Sequence, residues 1–564
     1  MRLAQITTYS LLISASLFIL GCSQADQDSK EAEKPAQISL EIVDHKMGTA
    51  EQKTAKSGVF SGSYVDAVVF RNNDDDDGNG IPDDEDNIVN GAMDSFDMTQ
   101  VVMKGLQSVD SASLSFSSDA VGNFRVFLGP DMLAIDLSTP FDLAAVSNEK
   151  ESFSLWLEAT QFAGPEFDGT IELSLATEAA SGTHVKTLVF KVAPWLMLSN
   201  ASRAQELLIR EYVGGNEIMI EQLKTILPLA NVALNVIPAS APYDDYNIWL
   251  QDTIEIGRQF KPDDSMPVVL QANRNKSIDA FSKAELLGQD FGWMRVGEYR
   301  PEFARGSSND GKQPKTPEWI DWFGNLEVSP PLPNHPHGIV YFGENAPGEQ
   351  LDPKIVAMID AQQLQGPAFK LDVSFLMIKH ADEVLSFVPS GNPDMPWYAL
   401  VPSTKMFIEM ATAWQSQGHG DLPVFDRFEE DYTLNAFLAD EALVAHNLAI
   451  QNTLDKNKAT LMRELGLPAA AIIEIPVAIK LNGTSLTPNM VNSAKLNNYF
   501  LVPDPNGPIV GGKDLLQQAF VELLEPSIVN IEFIDDRQYH MWWGNVHCAT
   551  NVIRSGEEQF EAMD

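Results

Sequence analysis

The spacing of apolar residues changes character once, near Pro194, and that change restricts what the chain can fold into. From Ile38 to about Trp195 the pattern is strand-like. The stretches "SASLSFSS", "FRVFLG", "TIELSLAT" and "KTLVFKVAP" alternate, or carry short β-rich runs, between turns of Gly, Asp and Ser. A β-sandwich over residues 38–195 is the expectation. Beyond Pro194, "RAQELLIREYV", "TKMFIEMATAWQSQ" and "LADEALVAHNLAIQNTLDKNKATLMREL" have helical spacing. The apolar runs "MPVVLQA", "GIVYFGE" and "SFLMIKH" between them read as short strands. Residues 196–564 are therefore expected to form an α/β body, large for one plain domain.

The first residues set a compartment. Arg2 precedes an apolar run from about Leu11 to Leu20, too short to span a bilayer and followed by small residues. This predicts an export signal over residues 1–21. Ile19-Leu20-Gly21-Cys22 resembles a bacterial lipoprotein box, which implies lipid on Cys22 and a polar tether over residues 22–37. A plain secretory signal is the alternative. Ser23 after the cysteine implies the outer membrane, on a face the sequence leaves open. The chain has 2 cysteines, so a lipidated Cys22 leaves Cys548 as an unpaired thiol in an oxidising place.

Charge narrows the partners. Asp and Glu number 79 against 38 Lys and Arg, a formal net charge of -41. That excludes nucleic-acid binding through a basic face and suits cations and basic substrates. The run "NNDDDDGNGIPDDEDNIVNGAMDSFD" concentrates oxygen donors between glycines. Clustered carboxylates repel until a cation arrives, and Ca²⁺ takes six to eight hard oxygens. The spacing is not that of an EF-hand, and a solvated acidic loop is the plain alternative. Oligomeric state is left open.

Three segments carry candidate chemistry: "NIWLQDTIEIGRQF" with Asp252, "FLMIKHADEVLSFVP" with His380 and Asp382, and "NVHCATN" with Cys548. A thiol, a histidine and two carboxylates suit nucleophilic catalysis. Together with "LLGQDFG", "FGNLEVSPP" and the "FKVAPW" join, these stretches resemble, in order, the signature motifs of the protein-arginine deiminases, over about Ala67 to Arg554.

The resemblance implies an immunoglobulin-like sandwich, one where the family has two, before a five-fold pseudosymmetric α/β propeller of the pentein type. It implies conversion of arginine residues in peptides or proteins to citrulline, with Cys548 as nucleophile, Asp252 and Asp382 holding the guanidinium, and His380 as acid and base. Trp249, Lys276 and Trp542 fall at substrate-binding positions, the last two where animal members have backbone-reading arginines. Lysine keeps the charge and loses the fork; tryptophan keeps neither. Calcium is implied at an inner site of Gln251, Glu255, Glu327 and the main-chain oxygens of Phe323 and Leu326. It is also implied in the sandwich, at Asn72, Asp74, Asp76, Asp83, Asp86, Asp94 and Asp97, with Asp290 reaching across. A second inner site is unmatched: Thr253, Gln271 and Ala272 stand at three of its positions, and Asn275 alone survives. A deiminase of small guanidines, and a calcium-binding surface module with a decayed site, are the alternatives; the complete set Asp252, His380, Asp382 and Cys548 speaks against decay.

Overall fold

The computed structural model describes residues 38–46, 49–60, 63–86, 89, 91–143, 152–244, 247–300, 318–425 and 432–556. The signal, Cys22 and the tether lie outside them.

Residues 39–192 build two sheets that share an apolar core. One has six strands, with Thr99–Lys104 and Ser152–Ala159 at its centre; the other has five, with Thr170–Ala179 between Ser111–Phe116 and Gly182–Val192. Alternation fixes the faces: Ile171, Leu173 and Leu175 turn inward beside Leu114, Leu155 and Phe190, while Glu172 turns out. The edge strand Ala67–Val69 runs parallel to Phe190–Val192 and leads directly into the acidic run.

The remainder repeats one unit in five sheets. In each, two antiparallel strands are followed by a crossover to a third strand, parallel to the second. Ile254–Lys261 and Asp264–Gln271 lead to Gly292–Arg295. Leu326–Val328 and Val340–Ala346 lead, through the helix Pro353–Ala361, to Phe369–Asp372. Ser386–Asn392 and Met395–Ser403 lead, through helices that include Glu441–Glu464, to Ile472–Pro476. Ala494–Leu496 and Tyr499–Pro503 lead, through Leu515–Leu523, to Asn530–Ile534. The fifth sheet is split across the sequence: Ala204–Arg210 runs parallel to Ala233–Ile237 and antiparallel to Thr550–Arg554.

Two expected elements differ. "RAQELLIREYV" is not a helix: Ala204–Arg210 is a central strand with Leu207, Leu208 and Ile209 buried. Its short apolar run satisfies either period, and pairing on both edges decides for the strand. "SFLMIKH" is not a strand: after Phe369–Asp372 the chain turns, Met377 N–H donates to the Gly483 carbonyl, and Lys379 has a φ of 65°. The join falls at Ala193–Pro194, because Trp195–Met197 already pairs with Ile254–Lys261.

The two parts are welded. Trp195, Val268, Phe323 and Leu326 belong to the same apolar cluster as the sandwich core. The Gln259 side chain accepts from Arg71 N–H and donates to the Arg71 carbonyl. Asn73 exchanges two hydrogen bonds with Trp293 across the join. Trp195 lies over Gly257, where an added Cβ would stand 2.3 Å from the Leu196 carbonyl oxygen and 2.5 Å from the Trp195 ring. Gly257→Ala is therefore expected to destabilise by about 1–3 kcal/mol through overpacking and to lower the thermal midpoint measurably. Gly164→Ala, where nothing lies within 4 Å, should leave it unchanged; differential scanning calorimetry of both variants is the check.

Candidate active site

The repeat explains how distant residues meet. The first strand of each unit begins at Ile254, Leu326, Ser386, Ala494 and Thr550. Asp252, Gly324, Asp382, Asn492 and Cys548 stand just ahead of these starts, in the turns that enter them. A cavity among the units is lined by Glu255, Glu327, Phe387, Lys495 and Asn551, one from each.

Cys548 is 2 % exposed, on the short helix Val546–Ala549. Its Sγ lies 3.1 Å from Asp382 Oδ2, 3.8 Å from Glu383 Oε1 and 3.2 Å from Asn492 Nδ2. Burial, then the carboxylates of Asp382, Glu383 and Asp252, push its thiol well above the usual range. Asp382 Oδ2 also meets His547 Nδ1 at 3.1 Å, and Oδ1 is buried without a partner. His380 is fully buried. Its Nε2 stands 2.8 Å from the Trp319 carbonyl, which only accepts, so Nε2 carries a proton and Nδ1 faces Asp252 Oδ1 at 3.4 Å. Burial, opposed by His380 and Arg274, raises the Asp252 carboxyl. Gly324 makes the His380–Asp252 pair possible: a Cβ there would sit 2.5 Å from Nδ1 and 2.8 Å from Oδ1.

A slot of about 150 Å³ leads to Asp252 and Cys548. Its walls include Trp249, Trp319, Trp322, Trp542 and Trp543. The rings are braced in pairs, Trp542 against Tyr212 and Trp319 against both Trp322 and Trp543. Aromatic faces beside the Asp252 carboxylate suit a planar cation. Trp249 and Trp542, expected at substrate-binding positions, both line the slot. Lys276 does not line the slot; its ammonium lies 6.0 Å from the Trp322 ring, which Arg274 covers at 4.0 Å. Sequence reasoning missed Glu383, Asn489, Asn492, His547, Trp319, Trp322 and Trp543. Glu383 and His547 were visible as neighbours of the chosen residues; the two asparagines carried no motif.

Residues 183–560 match the family model described as Protein-arginine deiminase (PAD). The chain belongs to the protein-arginine deiminase family. It is 31% identical over 456 residues to protein-arginine deiminase type-4 of Mus musculus, covering 76% of this chain and 65% of that protein. Against the type-1 protein of Homo sapiens it is 30% identical over 457 residues, covering 77% and 65%. The chain thus spans about two thirds of the length of these curated relatives. Among solved structures, an agmatine deiminase of C. jejuni is similar over 65% of this chain and 98% of its own, with 12% identity and a TM-score of 0.38.

The family's calcium positions can be tested against the donors present. At the inner site, Gln251 Nε2 donates to Glu255, burial pushes Glu255 up to about 8, and Glu327 Oε1 is buried without a hydrogen-bond partner, 3.7 Å from His547 Nδ1. Such carboxylates fit a hard cation. In the sandwich, oxygens of Asp74, Asp76 and Asp97 lie within 4.8 Å of one another, and a second group joins Asp75, Asp77 and Asp83. The backbone N–H of Asp290 donates to Asp74 Oδ2 at 3.0 Å across the join. Buried oxygens of Asn72, Asp74, Asp76, Asp83, Asp97 and Asp290 lack partners. Asp94 instead accepts from Asn72, and Asp86 accepts from Asn79 at the rim. Asp83 to Asp86 form a helical turn, not an extended loop. At the second inner site, Thr253 accepts from Arg274 and Gln271 accepts from Ser282 and Trp293, so protein donors occupy those oxygens.

These carboxyls make the stability depend on pH. Burial first, with repulsion from neighbouring carboxylates, raises Asp76 to about 6; burial above all raises Asp83 to about 9. Unfolded, each titrates near pH 4, so the folded chain binds more protons from about pH 4 to about pH 9 and loses stability as pH rises through that window. A divalent cation held among them would supply the opposing charge. In chelator the thermal midpoint should fall from about pH 5 to about pH 8, and millimolar calcium should abolish most of that fall. Parallel curves with and without calcium would show that these oxygens hold no cation.

Proposed function

We propose that the chain is a calcium-dependent hydrolase that converts the guanidinium of arginine residues in peptides or proteins to the ureido group of citrulline, releasing ammonia. The observation that supports this most is the convergence of Asp252 and Cys548 on one tryptophan-walled slot, with Asp382 on the sulfur. Asp252 and Asp382 hold the guanidinium nitrogens by charge-assisted hydrogen bonds. With Cys548 as thiolate and His380 carrying the proton at Nδ1, Sγ attacks the guanidinium carbon, and the carbon–nitrogen bond breaks as that proton passes to the departing ammonia. With Nε2–H fixed on the Trp319 carbonyl, Nδ1 is the nitrogen left for that transfer. His380 then takes a proton from water, which adds to the thiouronium carbon, and the carbon–sulfur bond breaks. Gln251, Glu255, Glu327 and the carbonyls of Phe323 and Leu326 would hold the inner calcium, and the sandwich carboxylates with Asp290 the outer ions. Bound there, the metal supplies positive charge against crowded carboxylates. On this reading the five sheets are the blades of a pentein-type propeller, and the sandwich is immunoglobulin-like.

Hydrolysis of small guanidines such as free arginine or agmatine is the second reading, favoured by the position of Lys276 outside the slot. One assay separates the two: ureido product from a blocked arginine peptide, free arginine and agmatine, with calcium and with chelator. Peptide turnover is expected to be highest, to vanish in chelator, and to drop at least about 10³-fold in Cys548→Ala. Near-parental activity of that variant removes Cys548 from the chemistry. Product from the small compounds alone selects the second reading.

We also propose that the exported protein is held at a membrane by lipid on Cys22. Among the described residues, no helix is long and apolar enough to cross a membrane. Cys22→Ser should move the protein from the membrane fraction to the soluble one. Unchanged fractionation, with no lipid mass on the mature N-terminus, sinks the proposal.

A further inference from the structure

We infer that Asn492 is a catalytic residue, whose side-chain N–H holds the Cys548 sulfur and stabilises it as the thiolate. The units that begin at Leu326 and Ala494 contribute nothing to the four-residue set, yet the latter's first strand, Ala494–Leu496, begins in the same place as the others. Asn492 is fully buried in the turn that enters that strand. Its orientation is fixed by its partners. Oδ1 accepts from the backbone N–H groups of His547, at 3.1 Å, and Cys548, at 3.3 Å. Both partners are donors, so the oxygen must face them, and Nδ2 is left pointing at Sγ, 3.2 Å away. Turning the amide over would set N–H against N–H.

The sulfur therefore has opposed neighbours. The carboxylates of Asp382 and Glu383 favour the thiol; the side-chain N–H of Asn492, with a backbone hydrogen bond from Asn545, favours the thiolate. An N–H bond to a neutral thiol is weak, whereas one to a thiolate is charge-assisted. The bond thus strengthens as the nucleophile forms. The upward push on this thiol from burial and carboxylates leaves such a donor a task. The same turn also manages the farther of the two acids. Asn489 donates to Glu383 Oε2 at 2.6 Å and to the Glu383 carbonyl at 2.9 Å, and Asn492 N–H closes the turn on the Asn489 carbonyl. One asparagine holds the neighbouring acid while the other holds the sulfur. By taking two N–H groups of Val546–Ala549, Asn492 also fixes the helix that carries the nucleophile.

The test reads the thiol directly, in the full chain carrying Cys22→Ser so that Cys548 is its single cysteine. The rate of alkylation by iodoacetamide is followed against pH for this parent, for Asn492→Asp and for Asn492→Ala. Asn492→Asp keeps the size and the acceptor for both N–H groups but replaces the N–H at sulfur with oxygen. It should move the midpoint of the profile to higher pH by about one unit or more, and slow alkylation at neutral pH at least about tenfold. kcat on an arginine peptide should fall in step, with KM little changed. Asn492→Ala should shift the midpoint in the same direction and, should the aspartate variant misfold, carries the test. Near-ultraviolet circular dichroism checks the fold of each. A midpoint that stays in place in a folded variant overturns the assignment. Because the role rests on Cys548 as nucleophile, the two readings are kept apart: a shifted profile without ureido product from any guanidine sinks the proposed function and leaves Asn492, and product with an unshifted profile does the reverse.

Discussion

Buried negative charge is the constraint on which the rest of the molecule depends. Asp382 and Glu383 press on the Cys548 sulfur, Asp252 adds to the field there, and Glu255 and Glu327 share the adjoining cavity. Two like charges about 4 Å apart repel by about 4 kcal/mol at an effective dielectric near 20. Nearby arginines are committed to structure: Arg274 stacks on Trp322 and bonds the Trp249 carbonyl, and Arg554 bonds the carbonyls of Ser202 and Lys495. The centre is built to take a cation, and a planar guanidinium fits between its carboxylates and tryptophan walls. The sandwich applies the same principle at a second place, with its acidic run tied by Asn73 and Asp290 to the strand Gly292–Arg295.

The repeated unit converts that constraint into geometry. A turn entering the first strand of a sheet has few backbone obligations and can present a side chain inward. Five such turns supply two carboxylates, a thiol, an amide and a glycine. The glycine is as specific as the others, since any side chain at Gly324 would displace His380 from Asp252. Rigid strands behind each turn hold these groups in register, which a loop-borne site would lack.

Much of this was legible before any coordinates. The sandwich strands announced themselves by alternation, as Ile171, Leu173 and Leu175 show. The long helix Glu441–Glu464 was plain from its period. Ala204–Arg210 was not, because seven residues with one buried face and one buried end satisfy helix and strand alike; its partners at Ala233 and Thr550 settle the matter. Ser374–His380 looked apolar enough for a strand because Ile378 walls the slot and Leu376 packs in the core. Asp252, His380, Asp382 and Cys548 were legible as motifs. Asn492 was not, since an asparagine before a short strand resembles any turn residue until crossover and strand pairing bring Cys548, 56 positions further on, beside it.

The split sheet has a consequence for biosynthesis. The strand Thr550–Arg554, which follows Cys548, pairs with Ala204–Arg210, laid down long before it. Every other first strand of a unit is followed closely by its own partner. During synthesis, the other four units can therefore pair while Cys548 is still unmade. Chemistry waits on a contact spanning more of the sequence than any other in these sheets, and such contacts form slowly. A ribosome-bound chain carries the carboxylates without the thiol, so the set of side chains around Cys548 is complete only when synthesis has reached that last strand.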